Sequence, residues 1–168
     1  MILTIMVSLL KTIYHLSNII IKRILIKMAE KCKLLNGGVF VDDRGPLRFV
    51  NEFNFDGVKR FYQVENHERG FIRAWHGHKI ESKYVYIVKG SAWVGVVDME
   101  DTTVVEKFVL SDKSPRILFI PAGKYNGFQS LEEGTIIQFF STTTIEESKG
   151  DDYRLPYEDF PIFKKEYR

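Results

Sequence analysis

His76 and His78, one glycine apart, with Arg73 shortly before them and Lys83 five residues after, are the side chains of this chain best suited to chemistry. Histidine is the one side chain whose ordinary pKa lies near neutrality, so an imidazole in a cavity can take a proton from carbon at physiological pH. A nearby ammonium can hold the negative charge that this step leaves on a neighbouring carbonyl oxygen. Paired histidines also bind metals, but divalent ions need neutral or deprotonated donors in a balanced shell. The side chains that follow the pair, Ser82 and Lys83, include a cation. The expectation is a cavity that holds no metal and no other cofactor, and that removes a proton beside a carbonyl.

These residues must be positioned by strands. From Gly37 onward short apolar runs recur at 39–41, 47–53, 58–64, 83–88, 92–97, 104–110, 116–120 and 135–140, bounded by Ser, Pro, Gly or Asp. Lys89-Gly90-Ser91 reads as a hairpin signal. No segment between Gly37 and Thr144 carries helical periodicity, which predicts a sandwich or barrel. In the run 83–88, alternation puts Lys83, Val85 and Ile87 on one face. That face predicts a lysine pointing into the barrel, where a cation is costly unless it serves a charge. The tail from Glu146 is charged and aromatic, and is expected to cross the barrel mouth or a partner subunit.

The length of 168 residues fits one domain with a real core. The formal charge of +2 is uneven: residues 1–27 hold Lys11, Lys22, Arg23 and Lys27 with no acid, leaving the rest at −2. The body thus offers no basic field to recruit nucleic acid. With Cys32 alone there is no intrachain disulfide, and a cytoplasmic location fits. Residues 1–27 form an extension whose apolar runs are too interrupted for a membrane span. They read as sequence upstream of a true start at Met28, as a basic amphipathic helix on a membrane or a partner, or as a poorly ordered appendage. The expected domain covers residues 28–168.

Gly70-Phe-Ile-Arg-Ala-Trp-His76-Gly-His78 resembles the G-x5-H-x-H opening of the first cupin motif, and Pro121-Ala-Gly123-Lys-Tyr-Asn126 is similar to the second, P-x-G-x-x-H. A metal-binding cupin has a carboxylate where this chain has Ser82 or Lys83, and a histidine at Asn126. The resemblance implies an all-β fold, the cupin-type double-stranded β-helix or jelly roll. Over most of residues 38–160 the chain resembles the RmlC-like cupins of nucleotide-sugar metabolism, chiefly the dTDP-4-dehydrorhamnose 3,5-epimerases. The segments concerned are Asp42-Asp43-Arg44-Gly45-Pro46-Leu47, Asn66-His67, Gly70 to His76, Lys83, Ile120 to Phe128, and Tyr157-Glu-Asp159. The sugar 3,4-ketoisomerases are similar at Arg60-Phe-Tyr62, at Arg73 to His78, and at Asp152-Tyr-Arg-Leu-Pro-Tyr-Glu-Asp-Phe160. The epimerases carry a catalytic tyrosine that the stretch Phe139 to Ile145 lacks. A proton donor must then be Tyr62, Tyr125 or water.

The resemblance implies a homodimer acting on a nucleotide-linked 4-keto-6-deoxy sugar. His76 would be the base, with Asp159 setting its tautomer and Lys83 stabilising the enolate. Arg73 would bind the diphosphate, Arg44 a neighbouring subunit's nucleotide, Asn66 a phosphate, and His78, Tyr62 and Asn126 the substrate. Epimerisation, 3,4-ketoisomerisation and a non-catalytic sugar-binding cupin all remain open at this point, with a metal-dependent oxygenase behind them.

Overall fold

The computed structural model describes residues 11, 13–18 and 30–163. The chain divides into two compact units, Met1–Glu30 and Lys31–Arg168. In the first, residues 13–18 are helical. Among the described residues no helix is long and apolar enough to cross a membrane. Most of residues 1–27 lie outside the described ones, and with them the three readings of that extension.

The second unit is a jelly roll of short antiparallel strands. In chain order they are β1 (Lys33–Asn36), β2 (Gly38–Asp42), β3 (Gly45–Phe49), β4 (Arg60–Glu65), β5 (Ile72–His78), β6 (Lys83–Lys89), β7 (Ser91–Asp98), β8 (Val105–Ser111), β9 (Arg116–Ile120), β10 (Lys124–Ser130), β11 (Ile136–Ser141) and β12 (Tyr153–Arg154). One sheet has the order β1-β9-β6-β11-β4, the facing sheet β12-β5-β10-β7-β8, and β2 and β3 form a separate ribbon. Period-two alternation drives the packing. Lys83, Val85 and Ile87 of β6 are buried, whereas Tyr84 and Tyr86 are only partly covered. Between the sheets Val85, Ile87, Val94, Val96, Leu118, Phe128, Ile137 and Phe139 form the main core. Each fully buried aliphatic or aromatic side chain there contributes about 1.5–3 kcal/mol.

Two expectations need correction. Gly90 is not the tip of a hairpin, because β6 and β7 lie in different sheets. It is a corner with φ +81°, where a Cβ would meet Thr135 Oγ1 at 2.6 Å. The run 47–53 also ends early as a strand, at Phe49. In addition, β5 and β10 were not anticipated as strands, since their glycines and histidines dilute the β-forming pattern.

A second apolar cluster lies on the outer side of β5: Trp75 and Val97 pack with Phe163 from the tail. Trp75 is fully buried and stacks on Phe163 at 5.5 Å. This cluster anchors the carboxy-terminal segment, whose preceding stretch borders the cavity described next.

Candidate active site

Two adjoining cavities open inside the jelly roll. The larger, about 450 Å³, is bordered by His76, His78, Lys83, Arg60, Tyr62 and Glu81, and on its tail side by Ile145, Ser148, Lys149, Gly150, Asp152 and Arg154. The smaller, about 180 Å³, shares Tyr62, His76 and Lys83 and adds Val64, Arg73, Asn126, Phe128 and Phe139. The larger is polar, with four Lys or Arg side chains against two carboxylates. The smaller is walled by aromatic and aliphatic groups, including Tyr62 stacked on Phe139 at 5.0 Å.

A local irregularity in β5 makes this arrangement. Arg73 and His76 are three residues apart and would point to opposite faces of a regular strand. However, Asn126 pairs with His76 and Phe128 with Arg73, so β5 carries one extra residue there, a β-bulge. Both side chains consequently reach the smaller cavity. Gly127 is needed opposite the bulge, because a Cβ would sit 2.5 Å from that of Ala74.

His76 is half-buried, and burial pushes its pKa down, helped by the Arg154 and Lys83 cations, to about 4. Arg154 lies directly across from His76 in the β12–β5 pair and donates from Nη1 to Nε2 at 3.0 Å. His78 is also lowered, by burial first and then by Lys83, against the pull of Glu81 and Asp151. Its Nδ1 meets Glu81 Oε2 at 3.2 Å without hydrogen-bond alignment. Glu81 is buried and accepts from Arg60 Nη2 at 3.0 Å. Lys83 is 6% exposed, and burial pushes its ammonium pKa down, with Glu81 opposing. Tyr62 is raised by burial and by the Glu81 carboxylate, so its phenol stays protonated. Among the described residues no three His, Cys, Asp or Glu side chains are grouped to hold an ion.

The remaining expected residues fare differently. Asn126 borders the smaller cavity while its amide donates to the His76 carbonyl at 2.9 Å. Asn66 lies behind the site. It is buried and accepts from Arg73 Nε at 2.9 Å, so it orients that guanidinium instead of lining either cavity. Arg44, at the β2–β3 turn, is paired with Asp42, has a side chain 83% exposed, and lines neither of these two cavities. Asp159 is not brought to His76: Pro156 ends the pairing with β5, and the 3-10 turn Tyr157–Asp159 leaves that carboxylate exposed. The group at the His76 ring is instead Arg154, itself gripped by Asp152 at 2.8 and 2.7 Å. Tyr125 packs with the outer apolar cluster. Arg60, Glu81, Asp152 and Arg154 were not picked out from sequence as site residues. Only the similarity of 60–62 and 152–160 to the ketoisomerases pointed toward three of them.

Two measurable consequences follow from these contacts. Asp151 is buried and accepts from the backbone N–H groups of Lys79, Ile80 and Glu81, at 2.8, 2.9 and 3.2 Å, closing the turn between β5 and β6. Asp151→Ala should lower the unfolding free energy by about 2 kcal/mol in urea melts, because a buried donor loses its partner. The histidines set a pH dependence. An unfolded chain protonates His76 near its ordinary 6.5, whereas the folded chain resists until about 4. The unfolded state therefore binds more protons in that window. Stability should be full above pH 6.5, fall as pH drops toward 4, and level off below. His76→Asn should flatten that part of the slope.

A family model described as dTDP-4-dehydrorhamnose 3,5-epimerase matches residues 29–162, most of the chain. The chain belongs to this family. Among curated proteins it is 26% identical over 98 residues to the spore coat polysaccharide biosynthesis protein SpsL of Bacillus subtilis, covering 55% of this chain and 65% of that one. The chain thus spans a little less than two thirds of that relative's length. Among solved structures it is similar to ChmJ, a 3'-monoepimerase from Streptomyces bikiniensis in complex with dTDP-quinovose, with TM-score 0.67, 17% identity, and coverage of 77% and 72% of the two chains. It is also similar to QdtA, a sugar 3,4-ketoisomerase from Thermoanaerobacterium thermosaccharolyticum in complex with TDP, with TM-score 0.62, 18% identity, and coverage of 80% and 93%. The family's fold thus serves epimerases and ketoisomerases alike, and the reaction must be argued from the site.

Proposed function

We propose that the chain is a metal-independent epimerase of a nucleotide-linked 4-keto-6-deoxy sugar. The observation that carries this reading is that a neutral imidazole, His76, and a buried ammonium, Lys83, border the same two cavities. Arg60, Lys149 and Arg154 give the larger cavity the charge to take a diphosphate. The sugar ring then lies where the cavities join, between His76, Lys83 and Tyr62. His76 removes the proton from C3 or C5 beside the ketone, and the electron pair moves onto O4. Lys83 stabilises that oxyanion in a water-poor site. Tyr62, held protonated, returns a proton from another wall of the cavity and inverts the carbon.

A second reading, 3,4-ketoisomerisation, is favoured by His78, a second imidazole on the larger cavity that could move a proton between O3 and O4. The ChmJ and QdtA ligands support a dTDP-linked substrate for either reaction. The exposed apolar ribbon, with Phe40 60%, Val41 67% and Leu47 59% exposed, supports a homodimer in which Arg44 reaches the other subunit's nucleotide. Such an enzyme would work in the cytoplasm, where a lone thiol such as Cys32 stays reduced.

Incubation with dTDP-4-keto-6-deoxyglucose in deuterated water tests the proposal. Deuterium at C3 or C5 with inverted configuration is the expected result. Migration of the ketone to C3 would select the ketoisomerase, and absence of exchange would leave a sugar-binding protein. Because a base with a lowered pKa stays free at lower pH, the acid limb of kcat/KM should lie well below pH 6.5, near 4.

A further inference from the structure

The contact between Arg154 and His76 carries more than a local role. Nη1 of Arg154 has only hydrogens to offer, so Nε2 of His76 must be the accepting lone pair and the ring proton sits on Nδ1. A lone pair occupied in this way cannot take a proton from carbon. Arg154 is aimed there by Asp152, which holds its Nε and Nη2 as a fork and leaves Nη1 facing the imidazole. Yet the Arg154 side chain is 58% exposed at the larger cavity, within reach of an incoming anion. A diphosphate offers a guanidinium the same bidentate geometry as Asp152 with more negative charge.

We propose that Arg154 is a positioning residue that caps the Nε2 lone pair of His76 in the empty site and is drawn off by a diphosphate entering the larger cavity, so that the base is uncovered only when substrate is bound. The proposal rests on the reading of His76 as the base. The other charged or titratable groups that border these cavities with the imidazole are Lys83 from β6, His78 and Arg73 from β5, Arg60 and Tyr62 from β4, Glu81 before β6, and Lys149 and Asp152 before β12. Of these, Lys83 and His78 add to the effect of Arg154, and Asp152 opposes it. Withdrawal of one guanidinium therefore raises the proton affinity of His76 at the moment it is needed.

Nitrogen-15 NMR of His76 in the full chain tests this without turnover, so its outcome is independent of whether the isomerase reading holds. The free protein at neutral pH is expected to carry the ring proton on Nδ1. Arg154→Gln should shift the population toward the Nε2–H form and raise the titration midpoint by about one unit or more, the size expected from removing an adjacent charge. Saturating inorganic pyrophosphate should move both readings in the same direction in the unaltered protein. Arg154→Lys, which keeps the charge but loses the fork, should fall between the two and replaces the glutamine variant if that one does not fold. An Nε2–H tautomer in the free protein overturns the proposal, as does a midpoint that neither substitution moves. A pyrophosphate shift of equal size with and without Arg154 assigns the effect to the anion's own charge and overturns the displacement.

Discussion

His76→Asn should lower the rate of carbon-proton exchange by roughly 10²–10⁴, the usual contribution of a positioned general base, while leaving the fold intact. Asparagine is similar in size at its root and can still accept from Arg154, so β12 keeps its partner. It offers no basic nitrogen. The loss should fall on kcat, with KM for the nucleotide sugar little changed, because Arg60, Lys149 and Arg154, the cations proposed to hold the diphosphate, still line the larger cavity. Single-turnover exchange in deuterated water, with thermal melts as control, measures both. Exchange retained within a few-fold would remove His76 as the base. It would shift attention to His78, the other imidazole on the larger cavity.

Lys83→Met should separate catalysis from stability in opposite directions. The ammonium is nearly buried, and burial outweighs the pull of the Glu81 carboxylate in setting its pKa. Burying a cation costs stability that an apolar side chain of similar length does not incur, and the Glu81 carboxylate keeps its Arg60 partner when Lys83 is replaced. The variant is therefore expected to unfold at equal or higher urea concentration than the parent. Its kcat should nonetheless fall by roughly 10²–10³, the typical loss when one stabiliser of a developing oxyanion is removed. Val85 and Ile87 share its face of β6, so a methionine there extends an apolar surface that already exists. A destabilised Lys83→Met with unchanged turnover would mean that the ammonium serves packing alone. The expected pattern is a trade of stability for activity.

Much of this was legible in the chain itself. The alternation in 83–88 placed Lys83 with Val85 and Ile87, and β6 buries those three side chains. Punctuated short strands and the two cupin-like segments indicated a jelly roll. Where the reading stopped, the reason is physical. The segments 72–78 and 124–130 carry Gly77 and Gly127 among polar residues, so their β character depends on neighbours that no local pattern announces. Asp159 looked like the partner of His76 because it lies in a similar motif. Which carboxylate or cation meets an imidazole depends instead on the register of a two-residue strand.

The residue types alone determined the chemistry within reach: an imidazole to take a proton, an ammonium to receive the charge, and no donor set fit for a metal at the positions expected of one. Tertiary structure decided which groups act together. The bulge in β5 turned Arg73 and His76 into one cavity although their spacing opposes it. Pairing of Tyr153–Arg154 with β5 set Arg154 on the His76 imidazole from 78 residues away. Such contacts are long-range in sequence and short-range in space, so only the folded register, with its hydrogen bonds satisfied, can specify them.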